Sequence, residues 1–111
     1  LQGDGGPDIW VEIKNVHYSR TPGLAEFPDC VTTRGAKHLM ELTERVEAGD
    51  RAAVVFCVQR PDVTRFDIAR DIDPALGRAY DAARKAGVEI YALAYAVSQT
   101  DLTPAHRLDI V

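Results

Sequence analysis

Cysteine, tryptophan and methionine are scarce in this 111-residue chain, at two, one and one copies. Each scarcity narrows what the chain can be. Cys30 and Cys57 lie 27 positions apart, which matches no metal or redox spacing and makes no disulfide framework. Cys57 sits in an apolar run, where a reduced, buried thiol is ordinary. Positive charge is also short: 13 Lys and Arg against 17 Asp and Glu leave a formal charge of -4. No global field therefore draws in nucleic acid, and such binding must rest on a local basic patch or on polypeptide outside this chain. No apolar run reaches the roughly 20 residues of a membrane-spanning helix, and no signal-peptide pattern opens the chain. A cytoplasmic setting without membrane contact is the expectation. Gly3-Asp4-Gly5-Gly6 precedes a strand rather than a helix, so it is turn chemistry and not a phosphate loop. Serine-nucleophile elbows and paired histidines at helical spacing are missing as well, which removes the common hydrolase and zinc signatures.

What is there is ordinary globular material, 46% hydrophobic and 27% charged, enough for one domain rather than disorder. The chain opens without methionine and turns through Gly3 to Asp8, like a hairpin whose first arm is cut to a stub. A fragment of a longer protein is expected. Ile9 to Val16 then reads as a strand rich in β-branched and aromatic residues. Period two sets Val11, Ile13 and Asn15 on one face and Trp10, Glu12, Lys14 and Val16 on the other. The segment from His17 to Asp29 reads as a loop. Thr32 or Thr33 caps a helix to about Ala48, with Ala36, Leu39, Met40, Thr43 and Val46 inward. Gly35 in its first turn suggests close backbone approach. Ala52 to Val58 is apolar on both faces, as a central parallel strand covered by helices would be. A loop holding Phe66 and Ile68 follows, then Asp73-Pro74 starts a helix that Gly87 ends. Val88 to Val97 reads as the last strand, and Ser98 to Val111 as a loose tail or short edge element. The strand–helix–strand–helix–strand order predicts an α/β fold, a mixed or parallel sheet with helices packed on its faces.

Glu12 and Lys14 put an acid and a base side by side on a face flanked by Trp10 and Val16. An ionised carboxylate there needs a partner, a metal or a ligand, although the same pair serves equally well as an ion pair on an exposed strand edge. A magnesium site takes one or two carboxylates with waters and phosphate oxygens, so Glu12 with Asp29, or with a residue upstream, is a candidate Mg2+ site. A lysine beside it can orient water and steady phosphoryl charge. Arg34, Lys37 and His38, at a helix start, are candidates to grip phosphates. The solvated helix face is the other reading of those three.

The strings VEIKNV, FPDCVTTRGAKHLMEL, RAAVVFCVQR, DIDP and AGVEIYA, in this order, resemble the C-terminal domain of the sugar fermentation stimulation protein A family. The resemblance implies a restriction-endonuclease-like, PD-(D/E)XK core at residues 1–111, N-terminally incomplete, with the preceding strand and an N-terminal OB-like domain absent. It implies a cytoplasmic DNA-binding protein with a regulatory part in sugar (maltose) metabolism. Glu12 and Lys14 match the Glu-x-Lys half of the nuclease motif, whose aspartate belongs on the preceding strand. Ala36 stands where the family commonly has glutamine. The expected function is thus DNA binding, with Mg2+-dependent cleavage by the full-length protein and an inactive fragment. The alternative is a non-catalytic nucleic-acid-binding module that keeps the nuclease fold.

Overall fold

The computed structural model describes residues 9–60, 62–97 and 102–111. Its elements are β1 (Ile9–Val16), β2 (Leu24–Phe27), α1 (Thr33–Glu47), β3 (Arg51–Val58), β4 (Arg65–Ile68), α2 (Pro74–Ala86), β5 (Glu89–Val97), β6 (Leu102–Arg107) and β7 (Asp109–Ile110). A four-stranded mixed sheet runs β1-β3-β5-β6. β1 and β5 flank β3 in parallel, and β6 returns antiparallel to β5. A second, all-parallel sheet runs β2-β4-β7. The expected hairpin turn at Gly3 to Asp8 lies outside the described residues.

β1–α1–β3 and β3–α2–β5 advance across the sheet in the same direction. Right-handed crossovers in one direction place both helices on one face. The core follows from that. Val16, Val54, Phe56, Val58, Ala92 and Ala94 pack with Leu39 and Leu42 of α1 and Leu76, Tyr80 and Ala83 of α2. Every sheet member of this set is even-numbered, so it belongs to a single face. The second sheet closes over that same face: Phe66 stacks on Phe56 with ring centroids 4.4 Å apart, and Phe27 lies 5.4 Å from Phe56. Both helices of the described residues thus lie on this one face of the expected mixed sheet. On the odd-numbered face, Val11, Val55, Cys57, Tyr91, Leu93 and Tyr95 stay half-exposed and none joins the core.

Local chemistry sets the helix ends. Thr32 Oγ1 accepts from Gly35 N at 3.0 Å and starts α1. Asp73 Oδ1 accepts from Leu76 N at 3.1 Å and starts α2, with Pro74 in its first turn. Gly87 ends α2 in the left-handed region at φ 114°. Gly35 is buried, and a Cβ there would sit 2.9 Å from Thr32 Cγ2 and 3.1 Å from Leu76 Cδ1. Close approach of the two helices is its reason.

Three expectations change. The stretch from His17 to Asp29 is not all loop, because Leu24 to Phe27 forms β2. Phe66 and Ile68 belong to strand β4, at 0% and 3% exposure, where pairing to β2 satisfies their backbone. Met40 is 58% exposed and Leu42 is buried instead, since α1 is turned so that Gly35, Leu39 and Leu42 form its buried line. The C-terminal residues take the second of their two expected forms, a short edge element: β6 edges the first sheet and β7 the second, with His106 Nε2 against Val63 O at 2.5 Å.

Candidate functional site

Period two in β1 turns Trp10, Glu12, Lys14 and Val16 toward α1. Val16 is buried in the core, while Trp10, at the other end, is half-buried. Trp10 Nε1 donates to Asp50 Oδ2 at 3.2 Å, and the Arg45 guanidinium lies 4.3 Å from the centroid of its ring. Between these anchors the two charged residues are held at intermediate depth, 32% exposed for the Glu12 side chain and 19% for Lys14.

Glu12 Oε1, Lys14 Nζ and His38 Nδ1 form a triangle. The carboxylate oxygen lies 3.1 Å from Nζ and 2.9 Å from Nδ1, and Nζ lies 3.0 Å from Nδ1. One nitrogen cannot serve both neighbours at once. Nδ1 carrying hydrogen donates to Glu12; Nδ1 without it accepts from the lysine ammonium. The cluster's floor is apolar, formed by Phe27, Leu39, Leu42, Val54, Phe56 and Leu76, which keeps water from below. Beside it, a groove of about 300 Å³ runs between Trp10 and Glu12 of β1 on one side and His38, Glu41 and Arg45 of α1 on the other.

The remaining candidates divide. His38 sits three residues after Gly35 and four before Leu42, at the margin of the buried line of α1, and points to Glu12 and Lys14. Its partners are the acid–base pair, which sequence reasoning had not connected to it. Arg34 and Lys37 are exposed on the first turns of α1, with no ion pair to either among the described residues. Asp29 is exposed and lines a separate depression with Asn15, His17, Tyr18 and Glu26, at the C-terminal end of β1. No hydrogen bond or ion pair joins it to Glu12 among the described residues. Its nearest effect is on Cys30, whose thiol it pushes up by accepting from it and by its charge. Among the described residues no three His, Cys, Asp or Glu side chains converge to hold a metal ion. Glu12 is one anionic ligand and not a complete set.

Sequence reasoning missed a second polar cluster. Arg20 donates to Asp71 at 2.6 and 2.8 Å and to the buried Glu26 at 3.0 and 2.7 Å. These bonds hold the Glu26 carboxyl below its usual range and bring Asp71 to about 2. The only signal in the sequence was an arginine and a glutamate six residues apart.

Fold and cluster define a class, a mixed α/β domain with an acid–lysine–imidazole group on the covered face of its sheet. The comparisons make it particular. Residues 1–101 match the model described as the sugar fermentation stimulation protein RE domain. A sugar fermentation stimulation protein homolog from Allorhizobium ampelinum is 51% identical over 105 residues, which is 95% of this chain and 45% of that relative. A homolog of the same description from Jannaschia sp. is 53% identical over 104 residues, 94% of this chain and 41% of the relative. The solved structure of Pyrococcus furiosus SfsA, in complex with Ca2+, is similar over 100% of this chain and 52% of its own, at 29% identity and a TM-score of 0.86. The chain belongs to the sugar fermentation stimulation protein family. It spans about half the length of the curated relatives it matches.

Proposed function

We propose that this domain is the nuclease-like half of a DNA-binding protein, and that a relative-length chain hydrolyses phosphodiesters with a divalent cation. The observation that carries the reading is the Glu12–Lys14–His38 triangle, in which Lys14 Nζ and His38 Nδ1 both sit within 3.1 Å of one carboxylate oxygen. Membership of the family and the Ca2+ complex of the P. furiosus relative support it. The described residues alone do not fit a complete Mg2+ site, so a second carboxylate must come from elsewhere, as the Glu-x-Lys half motif implies. A bound divalent cation would supply Lewis acidity at the scissile phosphate.

The chain's own residues have simpler tasks. Glu12 holds negative charge at a fixed point over an apolar floor. Lys14 offers a donor to a phosphoryl oxygen, and its charge favours the anionic transition state. His38 can take or give a proton at Nδ1 beside that oxygen. Arg34 and Lys37 contact the DNA backbone without reading sequence. The family's name connects the whole protein to sugar fermentation, and a regulatory role in sugar (maltose) metabolism follows as part of the same proposal.

The test is cleavage of DNA by relative-length protein in Mg2+ or Mn2+, comparing wild type with Glu12→Ala and Lys14→Ala. Loss of cleavage in both variants, with folding intact, is expected; equal activity in all three sinks the catalytic reading. A second reading is non-catalytic DNA binding on a retained nuclease fold. Glu12 is already paired with Lys14 and His38, and no three His, Cys, Asp or Glu side chains converge among the described residues, which favours it. Under that reading, salt-sensitive DNA binding survives Glu12→Ala and needs no metal.

A further inference from the structure

Resting on the DNA-binding reading above, we propose that the groove between β1 and α1 takes one unpaired nucleotide, its base on Trp10 and its phosphate toward Lys14 and Arg45. The domain then selects single-stranded or frayed DNA over intact duplex. Both walls of the groove are periodic. Trp10 and Glu12 are two residues apart on one face of β1, about 6.6 Å along the strand. On α1, Glu41, Leu42 and Arg45 follow His38 by three, four and seven residues, which sets all four on one helix face over about 10.5 Å. Since β1 and β3 are parallel, α1 runs back along β1. Glu12 and His38 of the triangle therefore mark one end of the groove, and Trp10 and Arg45 the other.

The second end is built as a stacking platform. The Arg45 guanidinium lies 4.3 Å from the centroid of the Trp10 ring, and no carboxylate pairs with it among the described residues. Trp10 Nε1 donates to Asp50 Oδ2 at 3.2 Å, which fixes the plane of the ring. A planar cation thus covers an oriented, half-buried aromatic face. A guanidinium on a ring near the surface is held weakly, whereas a nucleobase stacks on an aromatic side chain more strongly and whatever its identity. The base takes the place of Arg45, and the displaced guanidinium meets a phosphate, for which its fork of N–H groups is suited. Glu41, exposed on the helix wall and without an ion pair among the described residues, is an acceptor for a base amino group. Size sets the selection. At about 300 Å³ the groove stands at the lower end of the range of small-ligand sites, which leaves room for one nucleotide and none for a base pair. The step from Glu12 to Trp10 is the reach from a phosphate to its own base.

Two labelled DNAs test this by fluorescence anisotropy, with a relative-length chain containing these residues, in Ca2+, the cation of the P. furiosus complex. One is a short single strand of mixed sequence. The other is a duplex of that sequence closed at both ends by ethylene-glycol linkers, which leave no nucleotide unpaired. The single strand is expected to bind at least ~10-fold more tightly than the closed duplex. Trp10→Leu is expected to abolish that preference by weakening the single strand, and Trp10→Phe, which keeps a ring, to retain part of it. Arg45→Ala is expected to lower the slope of log affinity against log salt for the single strand by about 0.7, the share of one phosphate contact. Equal affinity for the two DNAs overturns the inference and leaves the DNA-binding reading standing. A preference that survives Trp10→Leu does the same, and so does an equal loss for both DNAs in that variant, which makes the ring a purely structural one. An unchanged slope in Arg45→Ala overturns it as well. Binding of neither DNA by the wild type overturns both together. No cleavage is read, so the catalytic assignment is judged apart.

Discussion

Asp73 joins the two helix starts through Thr32: its Oδ2 accepts from Thr32 N at 2.8 Å while its Oδ1 caps α2 at Leu76 N. Thr32 is itself the cap of α1. One carboxylate, 3% exposed, thus fixes how the helices converge above the sheet, and with them the height of His38 over Glu12. Asp73→Ala leaves one buried and one half-buried N–H without their acceptor and is expected to cost about 2–4 kcal/mol in urea unfolding. A loss under 1 kcal/mol would show that water replaces both bonds.

Tyr80 gives the opposite sign. Its ring is fully buried against Phe56, and its hydroxyl has no hydrogen-bond partner among the described residues. Burial pushes that phenol up. Tyr80→Phe keeps the ring and removes an unsatisfied group, so stability should be unchanged or rise by about 1 kcal/mol. A clear loss on thermal or chemical unfolding would reveal a partner for the hydroxyl.

The Arg20 cluster predicts how the fold responds to acid. Glu26 and Asp71 both ionise more readily in the folded protein than unfolded carboxylates do, chiefly because Arg20 donates to them. Depressed carboxyl values stabilise the fold above the unfolded value near ~4, and that contribution disappears as pH falls toward the folded values, about 2 for Asp71. Arg20→Met should flatten the acid limb of the stability profile between pH ~4 and ~2. At neutral pH it should also lower stability, because Glu26 is left buried without its partner. An acid limb identical to wild type would remove Arg20 from the account.

Arg34 and Lys37 predict a salt effect in the relative-length protein. If each contacts one phosphate, Arg34→Ala and Lys37→Ala should each reduce the slope of log affinity against log salt by about 1, with little change in sequence preference. Slopes equal to wild type, measured by fluorescence anisotropy on duplex DNA, would place the DNA elsewhere.

The sequence made some of this legible and hid the rest for physical reasons. α2 could be read end to end because an Asp-Pro start and a glycine at positive φ are local chemistry. β3 was readable as central because apolar residues on both its faces need cover. β2 and β4 were not, since four-residue strands leave too short an alternation to see beside Pro22, Gly23 and Pro61. In α1 the apolar residues alone could not choose between Met40 and Leu42. Contact of Gly35 with Leu76 settles the rotation, and that contact is long-range. The same rotation decides where His38 points. Glu12 and Lys14 could be paired by period two alone, but their third partner belonged to another element, and Asp29 lines a separate depression.

The strand order also governs the route to the native state. Ile9 meets Arg51 only once the intervening chain has been made and positioned, and the pairing of Ala53 with Glu89 must wait likewise. β2 likewise waits for β4, and β4 for β7 at the far end of the chain. Among the described residues only the β5–β6 pair joins strands that are near neighbours in sequence. Contacts of such separation require large loops to close before any pairing is gained, which slows folding and prolongs the exposure of strand edges. On a ribosome, β1 and β3 cannot meet until α1 and the loops on either side of it have been made.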